Sequence, residues 1–139
     1  MKKPMYVSMR GGEKIYVNGA VLQVDRKVTL ALINEVAFLR EAQVMQVSDA
    51  TTPLRQLYFV VQLMLITPND IEQARAMFVL QRSAICAVAS NAELLLGLDA
   101  VEELVETRRY YEALRKIRAL FEIEQAILSN ANTPLPVVA

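Results

Sequence analysis

A chain of 139 residues with 54% apolar and 22% charged side chains is compatible with one compact domain or a small β module fused to a helical one, and argues against a disordered chain. The 15 Lys and Arg balance 15 Asp and Glu, which excludes an overall electrostatic footprint for nucleic acid or membrane and leaves any basic surface local. With no histidine and a lone Cys86, an intrachain disulfide is excluded and zinc or haem chemistry is disfavoured; Cys86 reads as a buried structural thiol, and no metal or other cofactor is expected.

From the N-terminus the pattern favours strands. Residues 6–9, 14–17, 20–24 and 28–33 are rich in Val, Ile and Tyr, and every gap holds a turn signal: Gly11-Gly12, Asn18-Gly19 and Asp25-Arg26-Lys27. Asn-Gly between alternating runs signals a type I′ hairpin, because both central residues need positive φ. The expectation is an antiparallel meander, followed by a short strand over 36–39 and an irregular stretch to Thr52. No apolar stretch follows the N-terminal lysines, and the most apolar run, 57–66, is broken by Gln62 and far short of the roughly 20 residues that span a bilayer. A cytoplasmic protein with no membrane partner is expected.

Helix signals follow. Thr52-Pro53 reads as an N-cap with proline at the first helical position, and residues 54–66 are apolar almost all round; length and the proline start favour a central helix over a buried strand. Thr67-Pro68-Asn69-Asp70 repeats the start chemistry, after which Ile71, Ala74, Phe78, Ile85 and Val88 share one helical face. Ser90-Asn91 breaks that helix and caps the next, whose stripe is Leu94, Leu98, Val101 and Val105. A last helix after Thr107 places Tyr111, Leu114, Ile117 and Phe121 in the same register, with Glu112 four residues before Lys116 for a surface pair. The sum is an α+β protein: a β module over 1–50, about four helices over 51–128, and a flexible tail over 129–139.

Catalytic signatures are missing: no histidine base, no phosphate-cradling glycine loop, no nucleophile elbow, and Glu102-Glu103 point to different faces of a helix. The expectation is a binding protein rather than an enzyme. One candidate surface is the strand region, where Lys2, Lys3, Arg10, Lys14, Arg26, Lys27 and Arg40 outnumber the acids and Tyr6, Tyr16 or Phe38 offers a stacking face. The other is an apolar groove among Leu94, Leu98, Val101 and Tyr111 for a partner helix. Arg108, Arg109, Arg115, Lys116 and Arg118, interleaved with acids, read as solubilising charge; Met45, Met64 and Met77 read as gap-filling core.

The stretches "GEKIYVNGAVLQ", "LALINEVAFLRE", "YFVVQLML" and "YYEALRKIRALF", in this order and spacing, resemble the FlbT family of flagellin-synthesis regulators over nearly the whole chain. That resemblance implies a cytoplasmic, non-enzymatic protein that associates with the untranslated leader of flagellin messenger RNA and alters its translation or lifetime, as repressor or activator. It also implies a small helical partner, FlaF, for the helical half. The front of the chain, "YVSMRGGEKIYVNGAV" with "VAFLREAQVM", is similar to the strand plan of the CsrA family, intertwined dimers that bind GGA-containing messenger leaders. Arg40 matches that family's basic residue, but Met9 stands where its first-strand arginine would be, and Arg10, one residue on, faces the other way. Arg40 and Arg10 are therefore the first candidates for RNA contact, followed by Lys14, Arg26 and Lys27, with a homodimer through an exposed strand edge. The alternative is a helical adaptor or chaperone-like protein that reaches the messenger only through a partner.

Overall fold

The computed structural model describes residues 3–18, 20–34, 36 and 38–131. Lys2, Gly19 of the hairpin turn and residues 132–139 of the expected tail lie outside them. Five strands, β1 (Met5–Met9), β2 (Lys14–Val17), β3 (Ala20–Gln23), β4 (Val28–Leu32) and β5 (Phe38–Arg40), precede four α-helices: α1 (Pro53–Ile66), α2 (Ile71–Val88), α3 (Ala92–Glu106) and α4 (Tyr110–Ala131). The fold is α+β, as expected.

The strands do not form a meander. Within the antiparallel ladders, β1 pairs with β4 as a two-stranded ribbon, whereas β2 lies between β3 and β5 in a second sheet. The β2–β3 hairpin is as read, with Asn18 at φ 48°, but the Gly11-Gly12 turn, where Gly12 sits at φ 85°, carries the chain from one sheet to the other. Apolar patterning explains the preference. Val7 and Met9 of β1 are buried together with Ile15 of β2, with Val17, Val28, Leu30, Leu32 and Phe38 around them, so the two sheets cover each other's apolar sides. Two facing sheets bury side chains that a single-layer meander would leave wet.

The opposite face of the three-stranded sheet meets the helices: Tyr16 and Leu39, cross-strand partners in the register, both join the helical core. That core is centred on α1, whose Leu54, Leu57, Tyr58, Val61 and Met64 are buried. Thr52 caps α1 by accepting from the Arg55 N–H, and Asn91 caps α3 through the Leu94 N–H, both as the sequence reads. Thr67 differs: a 3-10 turn over Pro68–Asp70 precedes α2, and the Thr67 hydroxyl donates back to the Leu63 carbonyl, closing α1. Ala74, Phe78 and Ile85 of α2 are buried, but Val88 is 85% exposed. Gln81 lies beside Pro53 at the start of α1, donating to its carbonyl at 3.1 Å. Cys86 is half-buried and packs against the helical core.

Two surface details also depart from expectation. Glu112 pairs with Arg109 at 2.7 and 2.5 Å rather than with Lys116, because the tight turn at Arg108, φ 62°, brings Arg109 onto the first turn of α4. Residues 129–131, expected in the tail, continue that helix.

Candidate functional site

The Gly11-Gly12 end of the strand half gathers several of the expected cations. Gly11 packs so closely on the backbone of Asp25 and Arg26 that a Cβ there would lie 3.2 Å from both, which brings Arg10 and the Arg26 turn together. Arg10 follows the end of β1 and is exposed, whereas Met9 before it is buried, so the alternation read from the sequence holds. Arg26 pairs with Asp25 at 3.1 Å in full solvent. Lys14 and Lys27 form no ion pair with any described residue; the Lys14 amide donates to Glu41 at 2.8 Å.

Arg40 does something else. Its guanidinium donates to the Ser8 carbonyl of β1 at 2.7 Å and meets Glu13 at 3.3 Å, latching the two sheets together across the small core. The Arg10 amide hydrogen-bonds the other Glu13 oxygen, and this bond first, then the Arg40 charge, holds the Glu13 carboxyl below its usual range against a partial opposing effect of desolvation.

The partner groove is not at the residues expected for it. Leu94, Leu98 and Val101 are buried inside the helical core, with Leu98 and Val101 at 0% exposure, because α3 turns this stripe onto α4. Tyr111 is half-buried, its ring stacked on Phe38 with centroids 6.1 Å apart, and its hydroxyl accepts from Gln43. Apolar exposure among the helices falls instead on Met77, Val79, Leu80 and Val88 of α2, Leu96 of α3 and Ile127 of α4.

The stretch between β5 and α1, irregular on sequence grounds, is two 3-10 turns pinned to the helices. Gln62, buried on α1, accepts from the Met45 N–H at 2.7 Å and donates to the Met45 carbonyl at 2.8 Å. Gln43 accepts from the Arg40 amide through its side chain and from the Tyr58 hydroxyl through its carbonyl, joining strand, linker and helix. Between this linker and the flanks of α1 and α4 lies an open cleft of about 660 Å³, lined by Gln43, Ser48, Thr51, Thr52, Arg55, Arg118, Phe121 and Gln125, with Asp49 as the one acid in its lining.

Two arginines line it: Arg118, which reads from the sequence as solubilising charge, and Arg55, which is not among the expected site residues. Each sits three residues before an aromatic, in Arg55-Gln-Leu-Tyr58 and Arg118-Ala-Leu-Phe121, yet each lies over the other helix's ring. The Arg55 guanidinium lies 4.5 Å from the Phe121 centroid, and Arg118 lies 5.2 Å from that of Tyr58 while donating to its hydroxyl at 2.7 Å. The rings themselves are 5.9 Å apart. Neither arginine has a carboxylate partner among the described residues, whereas Arg26, Arg40, Arg75, Arg82 and Arg109 each have one. A guanidinium set over an aromatic ring with no carboxylate partner keeps its charge, and the N–H groups not used within the protein, for a planar or tetrahedral anion. The same Arg-x-x-aromatic spacing also occurs at Arg75–Phe78 and Arg108–Tyr111, so no sequence signal singles this pair out.

Among the described residues no cluster of His, Cys, Asp and Glu is placed to hold a metal ion, and no helix is long and apolar enough to cross a membrane. These features define a small α+β protein in which a strand platform is latched to a helical bundle and arginines line the seam. The family described as "Flagellar protein FlbT" matches residues 5–128. A Bradyrhizobium diazoefficiens protein named "Probable flagellum biosynthesis repressor protein FlbT 2" is 55% identical over 135 residues, covering 97% of this chain and 99% of its own. Proteins named "Probable flagellum biosynthesis repressor protein FlbT" from Agrobacterium fabrum and Rhizobium leguminosarum bv. trifolii are 47% and 44% identical, over 94% and 99% of this chain and 87% and 93% of theirs. The chain belongs to the FlbT family of flagellar proteins. No solved structure matches it.

Proposed function

We propose that this protein is a cytoplasmic, non-enzymatic regulator of flagellum biosynthesis that binds the untranslated leader of flagellin messenger RNA and represses its translation or shortens its lifetime. Family membership and the relatives' printed name, flagellum biosynthesis repressor, support the flagellar role and its sign. The observation that carries the RNA reading is the gathering of Arg10 and Arg26 at the glycine turn. Phosphate contacts from such groups fix a nucleic acid's position without reading its sequence.

Fluorescence anisotropy with the leader of its flagellin messenger, at low and moderate salt, tests this. Binding that weakens steeply with salt, and weakens further in Arg10→Ala and Lys27→Ala, is expected; no binding even at low salt overturns the reading. Arg40→Ala belongs beside them as a latch control, because its loss perturbs the sheets as well as any RNA contact.

A homodimer is proposed through β3, an edge strand whose four residues are all exposed. A second reading, an adaptor that captures a small helical flagellar protein of the FlaF type, is favoured by the exposed Met77, Leu80 and Val88 of α2. These residues lie at i, i+3 and i+11, the spacing of a helix-docking stripe. Calorimetry with that partner checks it: Leu80→Glu is expected to abolish binding, and unchanged affinity removes α2 as the surface.

A further inference from the structure

We infer that the cleft between the linker and helices α1 and α4 is the main phosphate-gripping channel for single-stranded RNA, with Arg55 and Arg118 as the contacting side chains. The inference rests on the RNA reading above and assigns it a site that the strand half alone does not supply.

Three observations carry it. Arg55 and Arg118 lie over aromatic rings and are free of carboxylates among the described residues, so their charge, and the N–H donors that Arg118 does not spend on Tyr58, are available to the cleft. On the strand half, by contrast, Arg26 and Arg40 are engaged with Asp25 and Glu13. Secondly, the cleft opens broadly and its volume of about 660 Å³ is suited to nucleotide-sized groups, with Ser48, Thr51 and Gln125 as further hydrogen-bonding groups in the lining. Thirdly, the cleft does not end at the linker. Ala42 lines both it and a depression of about 410 Å³ walled by Arg10, Gly11, Glu13 and Glu41. One chain of RNA crossing Ala42 therefore meets Arg10 on one side and Arg55 with Arg118 on the other.

The cleft itself, with two arginines and one acid in its lining, suits a flexible single strand that can follow a bent path past Ala42. Glu13, Glu41 and Asp49 sit along the path and set where phosphates do not lie.

The test is anisotropy with the flagellin leader on the full chain and on Arg55→Gln/Arg118→Gln, Arg55→Lys and Ala42→Glu, with thermal unfolding run on each. Ala42 is exposed, so its substitution places a carboxylate in the channel without disturbing the core. The double glutamine variant is expected to lose about tenfold or more in affinity, and its salt slope to fall by about 1.4, roughly 0.7 per phosphate contact removed. Ala42→Glu is expected to weaken binding several-fold at unchanged melting temperature, and Arg55→Lys to lose less than the glutamine change. Wild-type protein that binds while all three variants bind equally well, with the same salt slope, overturns the cleft and leaves the RNA reading standing. Wild-type protein that binds no RNA overturns both.

Discussion

Arg118 and Tyr58 are 60 residues apart, yet the guanidinium both lies over the phenol ring and donates to its hydroxyl at 2.7 Å. That hydroxyl in turn donates to the Gln43 carbonyl at 3.0 Å, so one phenol ties α4, α1 and the linker together. Burial, opposed in part by Arg118, pushes the Tyr58 hydroxyl above the usual tyrosine range, which keeps its proton in place for this bond. Tyr58→Phe keeps the ring under Arg118 and removes both hydrogen bonds. A loss of about 1–2 kcal/mol of unfolding free energy in urea is expected, and an unchanged midpoint would contradict the linking role.

Glu124 of α4 is 8% exposed and spends both oxygens on the start of α1, accepting from the Thr52 hydroxyl at 2.5 Å and the Leu54 N–H at 2.8 Å. A carboxylate there also complements the positive end of the helix. Glu124→Ala leaves the Leu54 amide buried without this acceptor and is expected to cost about 2–3 kcal/mol; chemical denaturation would show it, together with faster amide exchange at Leu54.

The Glu13 latch carries a pH dependence. Its carboxyl titrates below the ordinary 4.5 in the folded chain, chiefly through the Arg10 amide bond and with the Arg40 charge assisting. Stability from this group is therefore fully present above pH 4.5 and drains away as the pH falls through the lower folded value. Thermal unfolding of the wild type and Glu13→Gln should differ at neutral pH and converge under acid. A gap that persists well below that range would rule out the carboxylate as its source.

Gly97 lets α3 approach α4. A Cβ at that position would stand 2.6 Å from a methyl carbon of Leu120, a buried side chain that would have to shift. Gly97→Ala is expected to destabilise by about 1–2 kcal/mol, the crowding outweighing the gain in helix propensity of up to about 1 kcal/mol. Combined with Leu120→Ala, the two losses should fall short of their sum, because the smaller residue clears the space the new methyl needs. Strict additivity in a double-mutant cycle would show that the two do not meet.

Much of the architecture is local chemistry and so is legible one segment at a time. Thr52 and Asn91 cap helices because a side-chain oxygen reaches an amide three residues on, wherever those helices later pack. Asn18 takes positive φ because its turn requires it. Periodicity likewise marks Leu94, Leu98, Val101 and Val105 as one face, but that face says only that something covers it. Whether the cover is a partner or α4 is a matter of packing, and α4 takes it.

What tertiary structure alone decides are the pairings between distant segments. A Gly-Gly turn serves a hairpin or a crossover equally well, and the choice here falls to the burial of Val7, Met9 and Ile15 between two sheets. Arg40 reads as an exposed cation until β1 arrives beside it with the Ser8 carbonyl. Arg55 and Arg118 each have an aromatic at helical spacing on their own element, and each finds the other's instead, because the two helices cross with those rings in contact. Sequence by itself determined the elements, their caps, their apolar faces and the family; the relative placement of those elements determined which charges are bound up in the fold and which remain for a ligand.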